Sequence, residues 1–316
     1  MNKPVYWNMK APGDTRPTWM GGIIQIHITR ACDLSCSHCT QGSNFGGKPV
    51  MMTLENFELA VKSLKNYFGV VGIFGGNPTM HPQFELFCKV LSEHIPFERR
   101  GLWSNNLRGY GKLCCDVFNP AVSNLNVHCS QEAYDEMKRD WPECNPIGQY
   151  DSSHSPVYVA MDDLDMTNDE KWNLINNCDI NQFWSAILCQ TRFGLRAFFC
   201  EIAGAQAMLM ESEFDTGFWV SDDWWKLPIS AFADQIRHHC FKCGVPLKGK
   251  GSLAVNGTEE YVSKTYLPIA KLKKKGTKII EVSKIEDLGG HVHRATDYIN
   301  NGLQPAIHSP VWFPSY

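Results

Sequence analysis

Short apolar runs of strand length alternate with amphipathic helical stretches across residues 23–189. The runs are rich in Ile, Val and Phe, which is typical of buried β-strands. Between the first two runs, apolar positions recur at helical spacing behind Thr53, which the pattern predicts as an N-cap. The predicted strands are 23–29, 70–74, 99–103, 125–129, 157–161 and 183–189.

This alternation predicts an α/β protein with a parallel sheet. The six predicted strands are too few for a closed (β/α)8 barrel. Because the carboxyl ends of parallel strands meet at one edge of a sheet, we expect the residues that follow these strands to lie close together. We therefore expect the functional residues in the segments that follow each strand.

Three cysteines follow the first predicted strand with the spacing C-x3-C-x2-C: Cys32, Cys36 and Cys39. Three thiolates on one short loop suit a 4Fe-4S cluster and leave one iron open to a ligand that is not protein. Zinc is the alternative, but zinc sites usually take four ligands in two pairs. His38 is a poor fourth ligand because it directly precedes Cys39.

Polar or glycine-rich segments follow the next three strands. Glycines at a strand end allow a close approach of the backbone to a ligand, and an asparagine side chain offers a carbonyl acceptor. Taken singly, each segment is an ordinary turn signal. The residues are Gly75, Gly76, Asn77 and Pro78 after the second strand, Ser104, Asn105 and Asn106 after the third, and Ser130 after the fourth.

Together these motifs resemble the radical S-adenosylmethionine (SAM) superfamily. The resemblance implies a partial (β/α)6 TIM-like barrel in which Cys32, Cys36 and Cys39 hold a 4Fe-4S cluster. In that family the open iron chelates the methionine moiety of SAM, and reduction of the cluster cleaves SAM to a 5′-deoxyadenosyl radical. In members of the family, the residue at the position of His38 lies beside the adenine of SAM.

The same resemblance implies further contacts with SAM. Residues 75–78 look like the family's Gly-Gly-Glu-Pro segment, which holds the amino group of SAM, with Asn77 in place of the usual glutamate. Residues 104–106 correspond to a strand end that contacts the ribose or carboxylate. Ser130 stands where family members often carry a serine that contacts the cofactor.

A second set of cysteines, Cys189, Cys200, Cys240 and Cys243, follows the sixth predicted strand. It resembles the twitch domain, a shortened relative of the SPASM extension, in which four cysteines hold an auxiliary 4Fe-4S cluster. Zinc is the alternative occupant. Cys178 is the rival of Cys189, which is preferred because it ends the sixth strand and gives a family-like spacing. Four protein ligands would leave no open iron, which favours electron transfer.

Composition narrows the function classes. The net charge of −3 gives no broad electrostatic reason to expect a nucleic acid or a membrane as a partner. A basic run at 271–275 means that a nucleic-acid partner is not excluded. The chain shows no apolar span of membrane length and no apolar signal core. Beside these motifs, the 13 cysteines indicate metal ligation in a reducing compartment, so we expect a cytoplasmic protein.

We therefore expect a radical SAM enzyme of oxidoreductase or isomerase type, acting on a small polar or nucleotide-like molecule with electrons from a donor such as flavodoxin or ferredoxin. The alternatives are a radical SAM modifier of a peptide or of a nucleobase in nucleic acid, and a non-catalytic zinc or iron-sulfur binding module. The expected regions are an N-terminal extension (1–21), the partial barrel (22–188), a small twitch-like α+β iron-sulfur domain (189–260) and a C-terminal extension (261–316).

Overall fold

The fold is built around one eight-stranded sheet. A computed structural model describes residues 23–45, 48–127, 131–144, 146–148, 155–176, 178, 186–210, 214–227, 229–247, 259–271 and 277–288. The strands of the large sheet are β1 (Ile23–Thr29), β2 (Val70–Gly75), β3 (Arg100–Ser104), β4 (Asn124–Val127), β5 (Ile147–Gly148), β6 (Ala186–Thr191), β7 (Gly194–Phe198) and β8 (Phe218–Trp219). A second, parallel pair is formed by β9 (Glu259–Val262) and β10 (Lys278–Glu281).

The strand order in the large sheet is β5-β4-β3-β2-β1-β6-β7-β8. Strands β1 to β6 are all parallel to one another, whereas β7 pairs antiparallel with β6 and β8 pairs antiparallel with β7. The α/β class with a parallel sheet is thereby confirmed. The sixth strand does not extend the sheet beyond β5, because it pairs with β1 on the opposite side.

Helices connect most of the parallel strands. Those between β1 and β6 are α1 (Leu54–Ser63), α2 (Phe84–His94), α3 (Gly111–Val117), α4 (Gln131–Asp140) and α5 (Asn168–Asn176). Further along the chain are α6 (Glu201–Leu209), α7 (Ala233–His239) and α8 (Leu267–Ala270). Across the described residues, none of the helices combines the length and apolar character that a membrane span requires.

Strand β1 is the centre of the core. All seven of its side chains are buried, because the strand has neighbours on both edges and is covered on both faces. Such a strand is expected to be nearly continuous in apolar residues, as Ile24, Ile26 and Ile28 show. The interruptions, Gln25 and His27, are polar residues that are also buried.

Helix α1 forms as its sequence predicts. The Thr53 side chain accepts a hydrogen bond from the Asn56 backbone N–H at 3.2 Å, which satisfies one of the free donors of the first turn. The buried face of the helix includes Phe57, whose ring stacks on Phe87 of α2 with 4.4 Å between centroids. The predicted N-cap at Thr53 is confirmed.

The predicted strand at 157–161 is wrong. This apolar segment is buried but folds as a turn, with the Val159 backbone N–H donating to Pro156 O at 3.0 Å. A short apolar run reports burial and not sheet pairing, so the pattern alone could not exclude a turn packed in the core. The fifth strand is Ile147–Gly148 instead.

Two predicted domain boundaries fall inside strands. The boundary after residue 188 divides β6, which pairs with β1 on one side and with β7 on the other. The boundary after residue 260 divides β9. The boundary after residue 188 was placed by the cysteine motif that begins at Cys189, whereas the backbone pairing of the strands continues through both boundaries.

Helix α6 packs closely on β6 through Gly204. A Cβ atom at this position would lie 2.5 Å from Ile187 Cγ2 and 3.3 Å from Cys189 Sγ, which is closer than normal packing permits. The helix lies on this strand without room for a further carbon atom.

We predict that Gly204→Ala lowers the free energy of unfolding by about 1–3 kcal/mol, the usual cost of overpacking a core. Helix propensity alone would give the opposite sign, a gain of about 1 kcal/mol. Chemical denaturation of the two proteins under identical anaerobic conditions decides between them. A stabilised variant would contradict the close packing of α6 on β6.

Candidate active site

The cysteine loop leaves the carboxyl end of β1 and lies against the ends of the two strands that follow in the sheet. The Gly76 backbone N–H donates to Thr29 O and the Asn77 N–H donates to Ala31 O, both at 2.7 Å. From the end of β3, the Asn105 side-chain amide donates to Cys32 Sγ at 3.6 Å. The structure therefore brings together three of the segments predicted from strand ends. Ser130, predicted from the fourth, lies outside the described residues.

Cys32 is the cysteine of this loop with the most clearly defined surroundings. Burial raises the pKa of its thiol to about 12, and the neighbouring Cys39 adds to the shift. Two N–H groups that donate to the sulfur lower this pKa: the Leu34 backbone amide, at 3.4 Å, and the Asn105 side chain. A metal cation displaces the proton of a coordinating thiol, and N–H donors to sulfur are a means by which proteins tune iron-sulfur clusters.

The two glycines after β2 serve a backbone contact within the protein. Gly75 has a φ of +154°, and a Cβ atom there would lie 2.3 Å from Thr29 O. At Gly76 the same atom would lie 2.3 Å from Ala31 O. Glycine is therefore required at both positions so that the end of β2 can approach the start of the cysteine loop. The glycines were predicted to allow a close approach to a ligand, whereas the contact in the structure is with the backbone of residues 29–31.

Asn77 organises the strand ends. Its Oδ1 atom accepts three hydrogen bonds, from the Thr79 backbone and hydroxyl at 3.2 and 2.8 Å and from the Ser104 hydroxyl at 3.1 Å. Its amide nitrogen donates to Asp33 Oδ1 at 3.4 Å. Asp33 was missed by the sequence analysis, although its position directly after Cys32 was a usable signal.

Pro78, Ser104 and Asn106 support this arrangement. Pro78 begins the 3-10 turn Pro78–Met80, which Asn77 caps. The Ser104 hydroxyl also donates to Asn106 O at 2.9 Å, and the Asn106 side chain accepts from the Arg108 backbone at 2.9 Å. These three residues hold the loop at the ends of β2 and β3 in place.

Several buried polar atoms at this edge have no hydrogen-bond partner within the part of the chain that is described: Ser35 Oγ, Ser43 Oγ and Asn105 Oδ1. Buried polar groups are normally satisfied. A polar ligand at the cysteine loop would supply partners for such atoms, and three thiols are the donor set of a cluster with one open iron. The residues present therefore fit both a 4Fe-4S cluster and a polar cofactor such as SAM.

His38 is held by the C-terminal part of the chain. It is fully buried and has a left-handed φ of +54°. Its backbone N–H donates to Glu260 Oε1 at 3.0 Å, and its ring stacks on Tyr261 with 5.6 Å between centroids. Neither partner was predicted, because both lie more than 200 residues downstream and no local pattern indicates the contact.

Four cysteines line a second pocket, but they are not the four expected. Cys200, Cys240 and Cys243 are there, and the fourth is Cys178. Cys189 lies elsewhere: it is fully buried on β6 with its Sγ 3.9 Å from Gly204 O.

Helix α6 separates Cys189 from this pocket. Gly204 faces Cys189 and β6, whereas Ile202, Ala203 and Gln206 line the pocket. Residues 203 and 204 point in different directions because successive residues of an α-helix are rotated by about 100°. Cys189 was predicted as the fourth ligand because it ends the sixth strand, but its position in the fold does not support that role.

Two thiols of the second pocket, Cys200 and Cys243, have raised pKa values. Burial raises the pKa of Cys200 well above its ordinary value, and the neighbouring Cys178 adds to the shift. Burial and Cys178 also raise the pKa of Cys243. Backbone N–H groups of Ala203 and Val245 oppose these shifts, as Leu34 does at Cys32. Among the described residues, no three His, Cys, Asp or Glu side chains are grouped closely enough to hold a single metal ion.

A comparison with known proteins finds a family match for the part of the chain that carries the first site. Residues 26–139 match the family model of the Radical SAM superfamily, and this segment contains the cysteine loop and the strand ends around it. This part of the chain is therefore similar to the radical SAM superfamily, and that similarity implies a 4Fe-4S cluster and SAM. No curated protein matches the sequence.

Among solved structures, the chain is similar to BtrN in complex with AdoMet and 2-DOIA, with 14% identity and a TM-score of 0.46 over 70% of this chain and 92% of that chain. It is also similar to selenomethionine BtrN in an open conformation, with 12% identity and a TM-score of 0.40 over 71% and 86% of the two chains. Native anSMEcpe with bound AdoMet shares 17% identity, with a TM-score of 0.28 over 38% and 40%.

Proposed function

We propose that the protein binds a 4Fe-4S cluster at Cys32, Cys36 and Cys39, cleaves SAM reductively and oxidises or rearranges a small polar or nucleotide-like molecule. When bound, the cluster and SAM supply a 5′-deoxyadenosyl radical that removes a hydrogen atom from the substrate. The observation that supports the proposal most directly is that the segments after β2 and β3 lie against the cysteine loop, where Asn105 donates a hydrogen bond to the sulfur of Cys32. A low-potential donor such as flavodoxin or ferredoxin would reduce the cluster.

We predict that anaerobically reconstituted protein contains iron and sulfide and releases 5′-deoxyadenosine when dithionite is added together with SAM. With two clusters the iron content is about eight per chain. The variant in which Cys36 and Cys39 are both alanine should fold and lose cleavage, which a circular dichroism spectrum and the same assay check. Reconstituted protein without iron would contradict the proposal and leave the class of non-catalytic zinc-binding modules.

Asp33 is the carboxylate that we propose for the ammonium group of SAM. Asn77 stands at the position of the family glutamate, but its oxygen already accepts three hydrogen bonds. Its amide nitrogen instead holds Asp33 Oδ1, and Arg108 lies 3.4 Å from the other carboxylate oxygen. Asp33 thus supplies the negative charge that Asn77 lacks, on the residue next to a cluster ligand.

We expect Asp33→Asn to weaken SAM binding about tenfold or more, because a charge-assisted hydrogen bond is lost. Adding Asn77→Glu to this variant should restore affinity by returning the charge to the neighbouring position. Equilibrium dialysis of SAM against reconstituted protein measures both effects. Unchanged affinity in Asp33→Asn would show that another group binds the ammonium.

We propose further that Cys178, Cys200, Cys240 and Cys243 hold a second 4Fe-4S cluster, with zinc as the alternative occupant. The support is that they line one pocket and that backbone N–H groups approach the sulfurs of Cys200 and Cys243. With four thiolate ligands the cluster has no open iron, so its role is electron transfer. It would take the electron that a substrate carbon radical releases when the product is oxidised.

The two rival cysteines give a matched pair of variants. Cys178→Ala should lower the iron content from about eight to about four per chain, whereas Cys189→Ala should leave it unchanged because Cys189 faces Gly204. Metal analysis of the reconstituted proteins measures this. The opposite pattern would return the ligand role to Cys189, and wild-type protein with about four irons and one zinc would make the second site a zinc site.

The product distinguishes the remaining possibilities. A net two-electron oxidation yields a ketone, aldehyde or alkene and changes the substrate mass, whereas a rearrangement conserves it. The alternative substrates, a peptide or a nucleobase in nucleic acid, are separated by the same mass measurement on the macromolecule. We place the enzyme in the cytoplasm, where its thiols would be kept reduced.

A further inference from the structure

Glu260 on β9 contacts the cysteine loop from 222 residues further along the chain. Its side chain is fully buried. One carboxylate oxygen, Oε1, lies 3.0 Å from both the backbone nitrogen and Nδ1 of His38. The other, Oε2, accepts a hydrogen bond from Asn44 Nδ2 at 2.9 Å. The two oxygens therefore hold two separate points of the loop.

Asn44 extends this contact to a cluster ligand. The same side-chain amide donates to Cys36 O at 2.8 Å, so it joins the carboxylate of Glu260 to the backbone of Cys36. His38, the other partner of Glu260, lies between Cys36 and Cys39. The segment that carries two of the three cysteines is thus tied to one buried carboxylate.

Neighbouring residues of β9 strengthen the connection. The Ser37 hydroxyl donates to Glu259 O, and the Tyr261 ring stacks on His38 at an interplanar angle of 26°. His38 itself has a left-handed backbone, with φ at +54°, which a residue with a bulky side chain adopts only when its surroundings fix it.

We propose that Glu260 is a positioning residue that sets the geometry of Cys36 and Cys39 for the cluster. A buried carboxylate is costly unless hydrogen bonds compensate it, and here the compensating donors belong to the cysteine loop. The inference rests on the proposed cluster at this loop and adds β9 to the site. Glu260 touches neither substrate nor the reacting atoms, so its effect on the cluster is exerted through His38 and Asn44.

The test compares Glu260→Ala with Glu259→Ala in the reconstituted full-length protein. Glu259 is a matched control because its side chain is 40% exposed and forms an ion pair with Lys278 of β10, at 3.3 Å. An iron chelator is added anaerobically, and loss of cluster absorbance is followed. We expect iron to leave the loop of Glu260→Ala about tenfold faster or more, since hydrogen bonds to a charged acceptor are lost, and Glu259→Ala to match wild type.

Glu260→Gln provides a second test with little change in volume. Its amide nitrogen cannot accept from the N–H groups of His38 or Asn44, so we again expect faster loss of iron. Removing a negative charge near the cluster also raises its reduction potential, which a redox titration followed by electron paramagnetic resonance measures. Wild-type potential and wild-type iron loss in this variant would overturn the proposal.

A double-mutant cycle with Asn44→Ala tests the route of the effect. If Glu260 acts through Asn44, the double variant loses iron more slowly than the product of the two single effects predicts. Independent effects would overturn this route. Wild-type protein that binds no iron would instead contradict the proposed function, whereas normal iron binding and SAM cleavage with silent Glu260 variants would contradict only the role of Glu260.

Discussion

The parallel pairing of β1 with β2 is the constraint on which the site depends. Its register places Thr29 beside Gly75, and the chain then continues directly into the cysteine loop. The loop can follow this path only because two successive glycines leave space for the backbone of residues 29–31. Backbone hydrogen bonds across this contact fix the position of the chain just before Cys32. Side chains that follow β2 and β3 contact Asp33 and Cys32.

The central fold and the first site could be predicted because their signals are local. The run Ile23–Thr29, the N-cap at Thr53 and the spacing of the three cysteines each depend on residues close together in sequence. The segment 157–161 was misassigned because an apolar run is compatible with any buried conformation. Its residues are buried in a turn, where they contribute to the core without pairing in the sheet.

The position of Cys189 away from the second pocket and the contacts of His38 could not be predicted from the sequence, and the reason is the same for both. Whether Cys178 or Cys189 joins the other cysteines depends on which side of α6 each lies, and this follows from the packing of Gly204 on β6. The surroundings of His38 depend on Glu260 and Tyr261. Neither arrangement leaves a trace in residue spacing, because each is a contact between elements far apart in the chain.

The docking of β9 on the loop also has a consequence for biogenesis. Chains are synthesised from the N-terminus, and their early parts begin to fold first. The cysteine loop emerges from the ribosome long before Glu260, and contacts of such large sequence separation form late because loop closure is costly. The loop therefore reaches its final geometry only after β9 has been synthesised. Until then the loop lacks the contacts of Glu260 and Tyr261 with His38, which fix the left-handed backbone between Cys36 and Cys39.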